Sequence, residues 1–254
     1  MTAAPPRFVT GSLMRHVVVM AGTGAIGLIA IFAVDLINLL YISMLGEQAI
    51  AAAVGFAGVV GFFMLSLFIG LLIGVTATVS RTIGAGRMAD ARALATSSLV
   101  LVAAIAALVS GLTLVFLEPL LHLLGARDRV AELAQRFLTI ALPSTVMLGV
   151  GMVCSALLRS VGDARRAMLV TLLPAIVTAI LDPLFIFGFK LGLDGAAIVV
   201  VIARSVLVGV GLYGAWRVHH LLAPFDRSRL AADARQLSVV AGPAVLTNLA
   251  TPVG

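Results

Sequence analysis

Three ionisable side chains of this sequence stand inside long apolar runs: Asp35, Asp182 and Arg204. A charge at the centre of a membrane-spanning helix costs roughly 2.5–3.5 kcal/mol on insertion scales, so residues kept there mark ion pairing, ion passage or substrate contact. Asp182 is the one ionisable residue between Ala167 and Phe189. Pro183 follows it at once and Pro174 lies eight residues earlier. Proline interrupts helical hydrogen bonding, which a membrane tolerates where the freed groups meet protein or a cavity. Thr171, Pro174, Thr178 and Asp182 are spaced three to four apart and share one helical face, with Thr178 in reach of Asp182. Asn38 follows Asp35 by one turn. If Arg204 pairs with one carboxylate, the other is left over. That carboxylate must take a proton or bind a cation such as sodium, which is the chemistry of an ion-coupled carrier.

The elements that position these groups are set by composition. The chain has 254 residues, 61% of them hydrophobic and 11% charged, with a mean hydropathy of +1.18. A soluble domain carries about 25% charged residues, so the solvent here is lipid and the expected fold class is all-α integral membrane. Residues 1–16 read as a polar N-terminus. Six apolar runs follow within residues 17–216: Val17–Leu45, Ala49–Val79, Ala93–Leu117, Phe137–Leu158, Ala167–Phe189 and Gly195–Trp216. The first exceeds the roughly 7–15 apolar residues of a signal-peptide core, so it is a retained span. A short interfacial helix is expected between Glu118 and Arg136. Residues 217–236 form the longest polar connection, and 237–254 read as an incomplete seventh helix.

The charge excess, 17 Lys+Arg against 11 Asp+Glu, is nearly all arginine. It falls in short clusters between spans without interleaved aromatics, the pattern of loop charge and not of a nucleic-acid surface. Twelve cations fall on the N-terminal side of the membrane and four (Arg127, Arg129, Arg136, Lys190) on the other, which predicts a cytoplasmic N-terminus. That topology places Asp35, Asp182 and Arg204 in one layer, roughly 10–15 Å below the outer surface. Two of the loops echo each other, Arg81-Thr-Ile-Gly-Ala-Gly-Arg87 and Arg159-Ser-Val-Gly-Asp-Ala-Arg165. The lone Cys154 and the histidines near loops (His16, His122, His219, His220) supply neither a metal-ligand set nor a nucleophile–base pair within the spans, so no enzyme, cofactor or metal centre is expected.

Five stretches, in order, carry a resemblance: FAVDLINLLYISMLGEQAIAAAVGF, GLLIGVTATVSRTIGAGRMADAR, ALLRSVGDARRAML, ILDPLFIFG with LGLDGAAI, and GPAVLTNLATPVG. The chain resembles the N-terminal half of a bacterial multidrug and toxic compound extrusion (MATE) transporter of the MOP superfamily. The resemblance implies a six-helix N-lobe of a twelve-helix protein plus the start of a seventh helix, in the inner (plasma) membrane. It implies antiport of cationic amphiphilic drugs or toxins against protons or sodium, with Asp35 and Asp182 as the coupling acids. The second lobe is absent from this sequence and is expected as further chain or a partner chain. Thr178 stands where many relatives carry Asn, and Val200 where many carry Thr. The smaller oxygen set leans toward protons. A lipid-linked oligosaccharide flippase and a non-transporting membrane fragment are the alternatives, the flippase disfavoured because a single intramembrane cation faces two carboxylates.

Overall fold

Uninterrupted apolar length, more than amphipathic periodicity, makes the helices of this chain. The computed structural model describes the backbone of residues 13–250, with the side chains of residues 13, 15–17, 28, 31 and 35 outside the description. The described residues are helical apart from short connections. In order they form α1 (Leu13–Ser43), α2 (Gln48–Gly84), α3 (Met88–Val115), α4 (Leu117–Leu123), α5 (Asp128–Ala141), α6 (Thr145–Ser160), α7 (Ala164–Pro183), α8 (Gly192–Leu212) and α9 (Arg227–Ala250). A 3₁₀ turn, Leu142–Ser144, joins α5 to α6, and wider π-type turns extend α7 (Leu184–Gly188) and α8 (Tyr213–Val218). Six of these segments are long and apolar enough to cross a membrane: Val18–Ser43, Gln48–Gly84, Met88–Val115, Asp128–Ser160, Ala164–Gly188 and Gly192–Val218. Large apolar side chains stay on their outer faces, among them Ile29, Phe32, Leu36, Leu108, Val115 and Ile180. Such a surface suits lipid and not water.

Two larger apolar centres, and a smaller one around Leu158, Ala167, Val170 and Leu207, fill the interior of the described residues. Of the larger two, one joins α2, α3 and α6 around Phe68, Val79, Val153 and Leu157; the other joins α2, α4 and α5 around Ala53, Leu117, Leu121 and Leu138. Close helix approach relies on small residues. A Cβ at Gly70 would lie 2.5 Å from the Val245 backbone and one at Gly74 2.6 Å from the Ala241 Cβ, so the Gly70–Gly74 pair seats α9 against α2. Gly211 meets Cys154 in the same way, which makes the lone thiol a packing residue.

Three expectations change. The fourth span begins at Asp128, nine residues before Phe137, because α5 is amphipathic: Leu133, Ala134, Leu138 and Ala141 are buried while Arg129 pairs with Glu132 and Arg136 with Asp194 on its polar side. The interfacial piece shrinks to α4. The seventh helix starts at Arg227, inside the connection expected over 217–236.

The echo between the two loops is also real in backbone form, but in a different register. Gly86 (φ 74°) matches Gly162 (φ 80°), where a left-handed residue ends each helix. Their N–H groups bond Ile83 O and Arg159 O, and the next residues, Arg87 and Asp163, bond Thr82 O and Leu158 O. Arg87 and Asp163 then begin α3 and α7 with near-identical dihedrals. Each turn carries a charge pair three residues apart, Arg87–Asp90 and Asp163–Arg166, with the signs reversed.

Candidate ion-coupling site

The site is built where α1 and α7 run side by side in the same direction. Two contacts fix their register. A Cβ at Gly27 would lie 2.7 Å from Thr171 Oγ1, so the helices nearly touch there. Further along, the rings of Tyr41 and Phe187 meet edge-on with centroids 6.0 Å apart. Eleven residues beyond Gly27 is Asn38, and eleven beyond Thr171 is Asp182. Eleven residues are about three turns, so both side chains return to the faces that meet at the Gly27 contact, about 16 Å further along.

There the structure leaves two acceptors unsatisfied. Asn38 Oδ1 and Asp182 Oδ2 are buried and have no hydrogen-bond partner among the described residues. Asp182 is 1% exposed. An unpartnered carboxylate oxygen in an apolar interior is among the costliest arrangements a fold holds. Pro183 adds to it by removing a helical N–H, which frees the Ala179 carbonyl. The backbone then widens into the turn at Leu184–Gly188, and α8 closes over it so tightly that a Cβ at Gly195 would sit 2.7 Å from Phe185 O.

Asp35 lies on α1 one turn before Asn38, about 4.5 Å short of it along the helix; its side chain is outside the described residues. Thr178 is on the expected face, but its hydroxyl donates to Pro174 O at 3.0 Å, within its own helix, rather than to Asp182. The nearby Thr171 likewise donates to Met168 O.

Arg204 does not neutralise Asp182. Its Nη1 donates to Ala141 O (2.8 Å), Ser144 Oγ (2.8 Å) and Thr145 Oγ1 (3.3 Å), all at the break between α5 and α6. Pro143 interrupts the fourth span there, and Arg204 from the sixth supplies the missing donors. Ser110 of α3 bonds Leu142 O at 2.6 Å and completes the repair. Of the two carboxylates expected as counter-ions to Arg204, Asp182 and Asp35, the first is therefore not its partner, and the guanidinium clamps the helix break instead. Proline in an apolar run was the sequence signal for it.

At the arginine-rich end a second set of polar groups went unnoticed in the sequence. Asp163 caps α7 by accepting from Arg166 N (3.1 Å) and also accepts from the Arg166 guanidinium. His219 Nε2 lies 2.8 Å from its other oxygen, Oδ2. Burial alone would push the Asp163 carboxyl up, but the hydrogen bonds from His219 and Arg166 outweigh it and hold it below the usual carboxylate range. Asp90, its counterpart on the other turn, takes Arg229 at 2.9 Å. Farther on, Asp233 is buried and takes the Ser97 hydroxyl at 2.5 Å.

Among the described residues, six membrane-length helices around a buried carboxylate with an unpartnered oxygen define a multi-pass membrane protein. The MatE family model matches residues 24–184, and the chain belongs to that family. It is 34% identical over 237 residues to a FAD transporter of Shewanella oneidensis, covering 90% of this chain and 52% of that one. It is 30% identical over 171 residues to a probable multidrug resistance protein, NorM, of Thermotoga maritima. Among solved structures, a Vibrio cholerae MATE transporter, VcmN, in a bent form superposes with a TM-score of 0.88 at 26% identity, over 94% of this chain and 54% of that one. The fold is thus that of a MATE N-lobe, and the chain spans about half the length of the relatives it matches.

Proposed function

We propose that this chain is the substrate-gating N-lobe of a secondary-active exporter in which a proton entering at Asp182, with Asp35 as the second acid, drives outward movement of an organic solute. The observation that carries the reading is the orphaned Asp182 Oδ2 beside the orphaned Asn38 Oδ1 at one height on α1 and α7. A protonated Asp182 has a donor to offer an acceptor across the helix pair; an ionised one has none. Loading and losing that proton changes how α1 rests on α7, and such a local charge change biases an alternating-access equilibrium. Protons are favoured over sodium because Thr178 stands where many relatives carry Asn and Val200 where many carry Thr, which removes oxygen ligands for a bare cation. The twelve-to-four cation asymmetry supports a cytoplasmic N-terminus in a bacterial plasma membrane. A second lobe, on the same or another chain, completes the cleft.

For substrate, cationic amphiphiles match the two acids on α1 and α7. A second reading has its own support: the FAD transporter relative is similar over 90% of this chain, so a flavin dinucleotide is the competing cargo. Proteoliposomes of the protein expressed from its whole gene, given an imposed pH gradient, test both readings. Gradient-driven movement of a cationic dye, lost in Asp182→Asn, is the expected result. Movement of FAD with no dye transport selects the second cargo. Full transport in Asp182→Asn would sink the coupling role.

A further inference from the structure

Between α2, α3 and α9 runs a groove of about 510 Å³ whose walls are apolar apart from Ser238. Leu67, Leu71 and Val75 form its α2 wall; Ser238, Gly242 and Leu246 form a stripe along α9. The lining of α9 runs from Ala234 to Leu246, a rise of about 18 Å. That is close to the roughly 15 Å depth of one leaflet's hydrocarbon. That volume over that length suits a hydrocarbon chain better than a helix of about 10–12 Å diameter. A single hydrocarbon chain fits.

The arginine-rich end of the groove is cationic. Arg235 follows the lining residue Ala234 and precedes Ser238 by three residues and Gly242 by seven, so it stands at the edge of the same helical stripe, at the groove's arginine-rich end. It is exposed and has no ion-pair partner among the described residues. The other charges nearby are already engaged. Asp233 is buried and takes the Ser97 hydroxyl, while Arg229 is held by Asp90. Arg81 and Arg92 lie exposed at the same end.

We propose that this groove is a binding site for one anionic phospholipid, its acyl chain along Ser238, Gly242 and Leu246 and its phosphate on Arg235. An apolar slot of one-leaflet length that ends on an unpaired guanidinium complements that ligand in both shape and charge. A soluble anion would leave the slot empty, and a zwitterionic lipid would bring its own cation to the arginine. The lipid lies across the contact of α9 with α2, so it bridges the six-helix lobe and the helix that leads out of it.

Native mass spectrometry of the protein expressed from its whole gene, titrated with phosphatidylglycerol or phosphatidylcholine, tests the site. One tightly held phosphatidylglycerol per chain is expected, at least fivefold preferred over phosphatidylcholine. Arg235→Gln should abolish the preference and Arg235→Lys restore most of it. Ser238→Phe, which fills the slot, should weaken both lipids at least fivefold while the helical signal and elution volume stay unchanged. Equal retention of the two lipids, or phosphatidylglycerol binding indifferent to Ser238→Phe, would overturn the proposal; the second outcome would leave only a charged patch.

Discussion

Two aspartates bracket α7, and they could hardly be treated more differently. Asp163, at its N-cap, is buried yet bonded on both oxygens, to Arg166 and His219. Asp182, in its last turn, is more deeply buried and has an oxygen with no partner at all. Folding can supply partners to a buried carboxylate when it needs to, since it does so nineteen residues away on the same element. The missing partner at Asp182 is therefore a property of the site. A satisfied carboxylate holds structure, and an unsatisfied one is free to exchange a proton. Arg204 extends the contrast to cations: buried in a span, it spends its donors on the broken fourth helix.

The largest expected effect comes from Asp182→Asn. Gradient-driven transport in proteoliposomes should fall to the level of protein-free vesicles, while the denaturation midpoint holds or rises because a costly carboxylate has gone. A drop in stability comparable to that of an Asp163 variant would erase the distinction. Next comes Arg204→Met. It should destabilise by about 2–3 kcal/mol, the worth of a charged donor whose acceptors stay buried. Denaturant unfolding in micelles measures it, and transport per folded molecule should persist. A cost below about 0.5 kcal/mol would mean that the proline break closes without the clamp.

Asp163→Ala removes a helix cap and a charge-assisted contact, which together are worth about 1–2 kcal/mol. The pH dependence has a definite sign. The Asp163 carboxyl is held below its ordinary value, so its contribution is complete above about pH 4, the usual aspartate range. It is lost as pH falls through the depressed folded value. Melting curves of wild type and Asp163→Asn should be separated at pH 6 and converge toward pH 3. A constant separation would assign the effect to packing.

Much of this was legible in the sequence, and the limits were physical. Apolar length marked the six spans, and proline beside aspartate marked the fifth as unusual. Counting residues to the span ends put Asp35 and Asp182 in one layer, and the α1–α7 register sets them about one turn apart. The partners of Arg204 did not follow, because equal depth says nothing about direction around a bundle, and the Ala141 carbonyl it binds is free only once Pro143 has broken the helix. The start of the fourth span was hidden by charges that α5 carries on one face. The repeated loops were visible, but the shared arginines set the wrong register: they match Gly162 to Gly84, while the conformational demand pairs it with Gly86.

Thr178→Val should have the smallest effect and is informative for that reason. The sequence places this threonine one turn from Asp182 as a natural partner, while the fold turns its hydroxyl back onto Pro174 O. Such a bond within a helix competes weakly with the backbone and contributes little. Valine keeps the shape, so the expected cost is within about 0.5 kcal/mol, with transport unchanged. If Thr178→Val instead slows transport as Asp182→Asn does, the hydroxyl must leave Pro174 O during the cycle and serve the carboxylate in another state. Asp182 would then lack a partner in one conformation alone. The contrast with Asp163 would become one between a fixed hydrogen-bond set and a switching one.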